Sequence, residues 1–441
     1  REHAISAIEL PFAYFTAGRL NILLEQPIEA LGWYARGIQY ALAGKYCVPQ
    51  DIFAMEIDWI NRLHLGHPAP PDHQQATELL TLAQDILNKN PIDSPRSSLA
   101  APILIVAGGA ATMNKSEILQ DVNKYLSESM GGFKGTVISG GTMSGVPSCV
   151  GSTAAEFKTQ GIKQFHLISY IPKLLANDAP LDNRYDNHVT VGKTFSPEQI
   201  LGYWKDILAS KIQPTDVILL GFGGGPTSGL EYRLALGFGA TVGLVAGMGG
   251  SADEIVKDSL WSALPNLLPL PADLMTVRAF LYPDKSDQDK ADLEVMAQEF
   301  HLRYTADNIK KLPENLKPWD KLNNTYKKAN REQAKYAIQI LRAAGFEVHD
   351  TENPDKPVIF NEFTDEEVEF MAQLEHGRWN IERLKDGWRY GARDDETKHH
   401  NCLIPWEQLP DGPDGVRKYD RAAVRAFPEI LAKAGLEVFR K

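Results

Sequence analysis

Cysteine is scarce in this sequence: Cys47, Cys149 and Cys402 are the only three in 441 residues, and none has C-x-x-C spacing. This scarcity argues against a disulfide framework and a cysteine-based zinc site, and it fits a reducing cytoplasm. No apolar run approaches the roughly 18 residues of a membrane span, and no signal peptide is recognisable. Net positive charge is also missing, since the formal charge is -11, which argues against a general nucleic-acid coat.

The length and composition are those of a globular chain with two or three domains. We predict a helical segment over 1–95, a sheet domain over 102–282 and a mainly helical domain over 285–441, with a Pro- and Ser-containing linker over 88–101. The chain begins at Arg1 without methionine, so we expect it to be part of a longer protein. A homo-oligomeric state and a protein partner, bound through the N-terminal helices or an upstream region, are compatible with the sequence.

Three apolar runs, each predicted to be a strand, lead into glycines. They are Ile103–Val106 before Gly108 and Gly109, Thr136–Ser139 before Gly140, Gly141, Thr142 and Gly145, and Val217–Leu220 before Gly223, Gly224, Gly225, Thr227 and Ser228. The second and third turns are each followed by a helical pattern. Glycines allow backbone N–H groups to approach an anion, and a helix N-terminus adds positive charge. The pattern therefore predicts a parallel α/β sheet whose loops bind a phosphate-bearing ligand in one crevice.

Two of these turns resemble the motifs of the SLOG superfamily, whose members include LOG-type nucleotide hydrolases and the N-terminal domains of melastatin-type TRP channels. Gly140, Gly141 and Gly145 align with its first motif. Gly223, Gly224, Thr227 and Glu231 align with its second. The resemblance implies a Rossmann-like fold and a nucleotide-type ligand; no further cofactor and no metal is indicated.

Two functions follow from this resemblance. One is a sensor that binds a nucleotide-derived small molecule such as ADP-ribose or a cyclic nucleotide messenger. The other is a phosphoribohydrolase or N-glycosidase in which Glu231 stabilises a ribosyl cation or activates water. LOG-type hydrolases pair their glutamate with an arginine on the helix after the first motif. The matching helix here, predicted over 147–160, carries Lys158 and no arginine, and Glu231 lies one residue further along than their carboxylate, which favours the sensor.

Between these turns, a buried strand is predicted over 164–171, followed by a polar loop over 177–193. The loop carries Arg184, Tyr185, His188 and Lys193, which suit a lid over a base and a phosphate. A solvated loop has similar composition, so both interpretations remain open.

Residues 1–90 show helical periodicity throughout. The segment Ala30–Leu42 resembles one helix of a tetratricopeptide hairpin, although no 34-residue repeat emerges. The segment is either a scaffold for the sheet domain or a protein-interaction surface.

The last third of the chain is charged and rich in tryptophan. Trp319–Ala334 and, at greater length, Leu374–Arg421 resemble the ryanodine-receptor (RyR) repeat domain, which also occurs in prokaryotic proteins. The resemblances together imply a role in prokaryotic nucleotide signalling or antiviral defence.

A second ligand site is predicted within this region. Trp388 and Tyr390 follow a glycine, and Arg393, Lys398 and His400 lie nearby, so that the rings could stack on a base while cations meet phosphates. The competing interpretation is that Arg393 and Asp394 merely pin the loop. Trp379 falls at helical spacing and is predicted to be core. His399, His400 and Cys402 lack further zinc ligands at usual spacing.

Overall fold

The computed structural model describes residues 10–44, 49, 51–63, 67–92, 95–109, 116–282, 290–307, 317–351, 353 and 358–441. By compactness the chain divides into two units, Arg1–Leu270 and Pro271–Lys441. Cys47 lies outside the described residues.

The first unit contains a seven-stranded parallel sheet preceded by helices. In chain order its elements are α1 (Leu10–Leu23), α2 (Pro27–Leu42), α3 (Ile52–Arg62), α4 (Pro71–Asn88), β1 (Ile103–Gly108), α5 (Ser116–Ser129), β2 (Gly135–Ser139), α6 (Gly145–Thr159), β3 (Phe165–Ile171), β4 (Asn187–Thr190), α7 (Glu198–Ala209), β5 (Val217–Phe222), α8 (Pro226–Phe238), β6 (Thr241–Val245), α9 (Gly250–Lys257), α10 (Ser259–Ser262) and β7 (Leu267–Leu270).

The strand order is β4-β3-β2-β1-β5-β6-β7. The chain runs outwards from β1 to β4 and then returns to β5 beside β1, where Gly108 is in register with Phe222. This reversal of direction is a topological switch point, and ligands of open α/β sheets bind at the carboxyl ends of the strands there. The predicted Rossmann-like parallel sheet is thereby confirmed.

The apolar runs correctly located β1, β2, β3 and β5, whereas β4 and β7 were missed. Asn187–Thr190 lies inside the segment that the sequence predicts as a polar loop. Only Val189 of this strand is buried, because β4 forms the edge of the sheet and pairs with β3 alone. A short, mostly polar edge strand carries no apolar run that could reveal it.

The N-terminal helices share one hydrophobic core with the sheet unit, as the buried positions of Phe15, Tyr34 and Trp204 illustrate. Helix α2 approaches α8 closely at Gly237, where a Cβ atom would lie 2.7 Å from the carbonyl oxygen of Ala35. The predicted helical character of this segment is therefore confirmed. Its resemblance to a tetratricopeptide helix stays a prediction.

The second unit is mainly helical. Its elements are α11 (Leu274–Leu281), α12 (Lys290–Asp307), α13 (Asn324–Ala343), β8 (Phe346–Asp350), α14 (Asp365–Lys385), β9 (Arg389–Tyr390), β10 (His399–His400), α15 (Arg417–Arg425), α16 (Phe427–Lys433) and β11 (Leu436–Arg440). Strand β8 pairs with β11 in the antiparallel sense, with Val348 opposite Val438. The hydrophobic core lies between these helices and the two-stranded sheet.

The second unit contains two similar halves. Both halves have a tryptophan on a single 3-10 turn, a glutamate that accepts its indole N–H at 3.1 or 3.0 Å, and an arginine that also donates to that glutamate and lies over the indole. These residues are Trp319, Glu294 and Arg331 in the first half and Trp406, Glu369 and Arg421 in the second. The sequences Ala344-Gly345-Phe346-Glu347-Val348 and Ala434-Gly435-Leu436-Glu437-Val438 repeat as well. The two halves, each of which includes one segment that resembles an RyR repeat, thus have equivalent scaffolds.

The independence of the predicted domains 102–282 and 285–441 stays a prediction, and the boundary near 284–290 lies mostly outside the described residues. The change in charge and periodicity there predicts preferential cleavage by a protease in limiting amount. Mass spectrometry of the fragments should locate the first cut between Asp284 and Lys290. First cuts inside the blocks 102–282 or 290–441 would contradict this boundary.

Candidate functional site

The glycine loop after β5 is held from one side by the start of α9. The carbonyl of Gly223 accepts a hydrogen bond from the N–H of Ala252 at 3.0 Å, and that of Gly224 accepts one from Ser251 at 2.9 Å. The Ser251 hydroxyl donates to the carbonyl of Gly225. Gly223 and Gly224 have φ angles of 54° and 92°, which favour glycine. Because C=O and N–H point in opposite directions across a trans peptide, the amides of Gly224 and Gly225 face away from α9.

Helix α8 begins directly after this loop and adds further donors. Its first residue is Pro226, and the first hydrogen bond to a preceding carbonyl is made by the N–H of Gly229. Among the described residues, four successive non-proline amides therefore have no protein acceptor, as expected where a helix begins without a side-chain cap. These amides belong to Gly224, Gly225, Thr227 and Ser228. Gly224, Gly225, Thr227 and Ser228 of the second motif thus present backbone N–H groups beside the switch point, and helix N-termini with such free N–H groups are common anion sites in proteins.

The glycines after β1 serve close packing. A Cβ atom on Gly108 would lie 2.6 Å from the carbonyl oxygen of Phe222 and from a methyl group of Val146. The carbonyl of Gly109 accepts the N–H of Val146. These contacts hold the start of α6 against β1, and the close packing at Gly108 accounts for that glycine without a ligand.

The loop after β2 is attached to the segment 178–182. Thr142 forms an isolated bridge with Leu181, and the carbonyl of Gly141 accepts the N–H of Asp182. Gly141 and Gly145 have positive φ angles of 74° and 58°, and Gly140 packs against Pro147 of α6. The first motif is thus a rigid turn at the carboxyl end of β2, the strand next to β1.

Two of the proposed lid residues, Arg184 and Tyr185, already bind to other parts of the protein. All three guanidinium nitrogens of Arg184 donate hydrogen bonds, to both carboxylate oxygens of Asp182 at 2.7 Å and to Ser148 and Ser152 of α6. The Tyr185 hydroxyl donates to the carbonyl of Pro147. These bonds fasten Arg184 and Tyr185 to α6, a structural role that differs from both the predicted lid and the solvated loop.

Glu231 lies one helical turn beyond Thr227 on α8, at i+4 spacing and therefore on the same side of the helix. Its Oε1 accepts the hydroxyl of Tyr203 on α7 at 3.0 Å. Burial raises the pKa of Glu231 to about 7, against the Tyr203 hydrogen bond that lowers it. A carboxyl group with this pKa is half-protonated near neutral pH, so it can either donate or accept a hydrogen bond.

In the second unit, an aromatic cluster forms where α14 ends and β10 begins. The His400 ring lies edge-on to Trp379 at 4.9 Å and to Trp388 at 6.0 Å. The Arg383 guanidinium lies 5.7 Å from the Trp379 ring and 5.3 Å from the Trp388 ring, and its Nε is buried without a hydrogen-bond acceptor among the described residues. Two tryptophans, one histidine and one arginine thus form a half-buried surface that can receive a planar ring.

The remaining predicted residues of this loop do not join the cluster. Lys398 donates from Nζ to the backbone and carboxylate oxygens of Asp386, and Arg393 pairs with Asp395 at 3.4 Å. Tyr390 is 66% exposed. The structure therefore favours loop-pinning roles for the two cations, whereas Arg383 is the cation beside the rings. Sequence reading missed Arg383 because it belongs to α14 and meets Trp388 only through the turn at Gly387.

His400 is a neutral hydrogen-bonding group. Burial, together with Arg393 and Arg383, lowers its pKa to about 4. Its Nδ1 accepts the backbone N–H of Cys402 at 3.0 Å, which places the ring proton on Nε2. His400 therefore offers a neutral N–H donor at this site.

Comparison of the two halves of the second unit distinguishes the residues of the repeated scaffold from those of the aromatic cluster. The glutamate, tryptophan and arginine of the repeated scaffold occur in both halves. The stretch between helix and repeated tryptophan turn is much longer in the second half, and that addition supplies Trp388 and His400. Trp388 and His400 of the aromatic cluster therefore belong to a part of the second half that has no counterpart in the repeated scaffold.

Replacing Trp388 tests this distinction. Trp388→Ala is expected to weaken binding of a purine nucleotide by roughly 1 to 3 kcal/mol with little change in melting temperature. Trp406→Ala, the control, removes a buried scaffold ring and should destabilise the fold by about 3 to 5 kcal/mol. Calorimetric titration with AMP and ADP-ribose, together with thermal unfolding, checks both expectations. Equal destabilisation by the two variants would identify Trp388 as core.

Across the described residues, no group of three or more His, Cys, Asp and Glu side chains is arranged to hold a metal ion. No helix in the same part of the chain is both long and apolar enough to cross a membrane.

The fold and these sites define a protein with a Rossmann-like α/β unit, built around glycine loops at a switch point, and a mainly helical unit made of two similar halves. The family model of the RyR domain matches residues 355–440, which confirms the resemblance over that region. No curated protein matches the chain. Similar solved structures include TM1055, a structural genomics target, with 19% identity over 35% of this chain and 81% of that chain at a TM-score of 0.27. A molybdenum cofactor carrier protein from Chlamydomonas reinhardtii aligns with 19% identity over 39% of this chain and 91% of that chain, at a TM-score of 0.28.

Proposed function

We propose that this protein is a sensor whose α/β unit binds a nucleotide-derived small molecule, an ADP-ribose-like compound or a cyclic nucleotide messenger. The observation that carries the proposal is the set of four unpaired amides at Gly224, Gly225, Thr227 and Ser228. The carbonyls of Gly223 and Gly224 belong to the same peptide groups as the amides of Gly224 and Gly225 and are bonded to α9, so these two donors are preorganised for an anion. The SLOG and RyR resemblances support a setting in prokaryotic signalling or antiviral defence.

The RyR-type unit contributes its own ligand surface to this proposal. Trp379, Trp388 and His400 surround Arg383, an arrangement suited to a base stacked on rings near a cation. The two surfaces are proposed as separate nucleotide-recognising sites.

A nucleotide N-glycosidase is the second candidate, and one observation favours it. The pKa of Glu231, raised to about 7, suits a general acid or base near neutral pH. Its hydrogen bond with Tyr203 and the absence of an arginine on α6 favour binding over hydrolysis.

Calorimetric titration with ADP-ribose, cyclic ADP-ribose and nucleoside monophosphates, with chromatography of each mixture, tests both functions. The expected result is saturable binding without multiple-turnover release of base. Multiple-turnover release that disappears in Glu231→Gln would establish the glycosidase. Failure of all these ligands to bind would contradict both candidates.

A further inference from the structure

A polar cavity of about 290 Å³ lies between α4, the start of α7 and the carboxyl end of β4. Strands β3 and β2 separate β4 from the switch point, so this cavity is distinct from the glycine-loop site. Its volume is at the lower end of the range for small-molecule sites.

Charged side chains of both signs line the cavity. They are Glu78 of α4, Glu198 of α7 and Arg96 of the segment between α4 and β1. None of the three makes a side-chain ion pair within the part of the chain that the structure describes. Burial raises the pKa of Glu78, and the neighbouring Glu198 raises it further, while Lys205 and Arg96 oppose this. Lys205 and Arg96 act on Glu78 more strongly than Glu198 does, and a ligand cation beside the two carboxylates adds to this stabilisation.

Gln75 supplies an independent observation. Its side chain is 94% buried, being 6% exposed, and it lines the cavity without a hydrogen-bond partner among the described residues. Its amide atoms are not among the fully buried polar atoms that lack a partner, so the amide reaches the cavity, where a ligand can hydrogen-bond to it.

The walls hold these groups in place. Asp206 accepts the backbone N–H groups of Arg96 and Ser97 at 3.1 and 3.3 Å, which fixes the segment that carries the guanidinium. A Cβ atom on Gly202 would lie 3.0 Å from Nη1 of Arg96, and one on Gly192 would collide with the carboxylate of Glu198. Gly202 therefore leaves space for the guanidinium of Arg96, and Gly192 leaves space for the carboxylate of Glu198. Both charged groups are in position before a ligand binds.

We propose that this cavity binds a small zwitterion of the α-amino-acid class. Its ammonium group lies between Glu78 and Glu198, its carboxylate pairs with Arg96, and Gln75 donates or accepts a hydrogen bond. A nucleotide phosphate does not fit, because the two carboxylates repel it. A simple monovalent cation satisfies the glutamates and leaves Arg96 without a counter-ion. The proposal does not depend on nucleotide binding elsewhere in the chain.

The test begins with thermal unfolding of the full chain in the presence of each of the twenty common L-amino acids, separately. At least one is expected to raise the melting temperature and to bind in calorimetry. Its N-acetyl derivative, which lacks the ammonium charge, and its carboxamide, which lacks the carboxylate, are each expected to bind about tenfold or more weakly. No response to any of the twenty overturns the proposal. Equal binding of the carboxamide overturns the role of Arg96.

Glu78→Gln separates binding from folding. Without ligand the variant should be at least as stable as the wild type, because a buried carboxylate becomes a neutral amide. Its affinity for the amino acid should nevertheless fall about tenfold or more. Glu254→Gln, which changes an exposed carboxylate on α9, is the matched control and should leave affinity unchanged. Unaltered affinity in Glu78→Gln overturns the proposal.

Discussion

Thr227→Asp is expected to abolish binding of phosphate-bearing ligands at the glycine loop while leaving the fold intact or slightly stabilised. Thr227 is exposed at the second position of α8, and its N–H is one of the four unpaired amides. A carboxylate there interacts favourably with the helix dipole, by about 0.3 to 1 kcal/mol. The same charge repels a phosphate about 4 Å away by about 4 kcal/mol at a dielectric constant near 20, which corresponds to a loss of roughly 1,000-fold in affinity.

Thr227→Asn is the matched control, because asparagine has the shape of aspartate without its charge. Calorimetry with ADP-ribose and thermal unfolding of both variants separate the effects: only aspartate should lose binding, and neither variant should lower the melting temperature. Gly224→Asp is a poorer test, because any Cβ atom there would lie 2.5 Å from that of Ser228 at a φ angle of 92°. Equal binding by Thr227→Asp and the wild type would remove the loop from the proposed site.

Local sequence patterns were sufficient for the parts of the sheet site that are contiguous in the chain. An apolar run followed by glycines indicates a buried strand and then a turn with positive φ angles. At β5 the run and the glycines Gly223 and Gly224 are adjacent in the chain, so the local pattern was sufficient. The role of α9 was not predictable in the same way. Ser251 bonds to the carbonyls of the loop only because β6 lies beside β5.

Charged side chains were harder to place from sequence. Lys398 and Arg393 lie close to Trp388 in the chain, yet Asp386 and Asp395 neutralise them locally. Arg383 lies at the end of a helix and was passed over, although helix geometry brings it over Trp379, four residues earlier. The choice among nearby cations depends on which carboxylates fold next to them, and this is a tertiary property.

The polar cavity beside β4 was even less predictable from the sequence. Gln75, Arg96 and Glu198 come from three separate parts of the chain, and none belongs to a recognisable motif. Their juxtaposition depends on the packing of α4 against α7. The composition around Arg96 predicts a linker. In the structure, the carboxylate of Asp206 accepts the backbone N–H of Arg96 and fixes this segment in place.

Glu231→Gln is expected to reduce the loss of stability that accompanies rising pH. The pKa of Glu231 in the folded chain is raised from 4.5 to about 7 by burial. A raised pKa means that the protonated form is favoured in the folded state, so its contribution is fully present below about 4.5 and is lost as the pH rises through about 7. The difference corresponds to roughly 3 kcal/mol, reduced somewhat by the partial exposure of the residue. Glutamine stays neutral throughout and still accepts the Tyr203 hydroxyl.

The free energy of unfolding of the full chain, measured by urea titration at several pH values between about 5 and about 8, checks this expectation. Relative to the wild type, the variant should gain roughly 2 to 3 kcal/mol of unfolding free energy as the pH rises from about 5 to about 7, and the difference should level off above neutral pH. Glu254→Gln, on the exposed side of α9, controls for the general loss of one negative charge. A pH-independent difference between Glu231→Gln and the wild type would mean that Glu231 is ionised across the whole range. It would then be unable to act as a proton donor near neutral pH, and the N-glycosidase alternative would lose its main support.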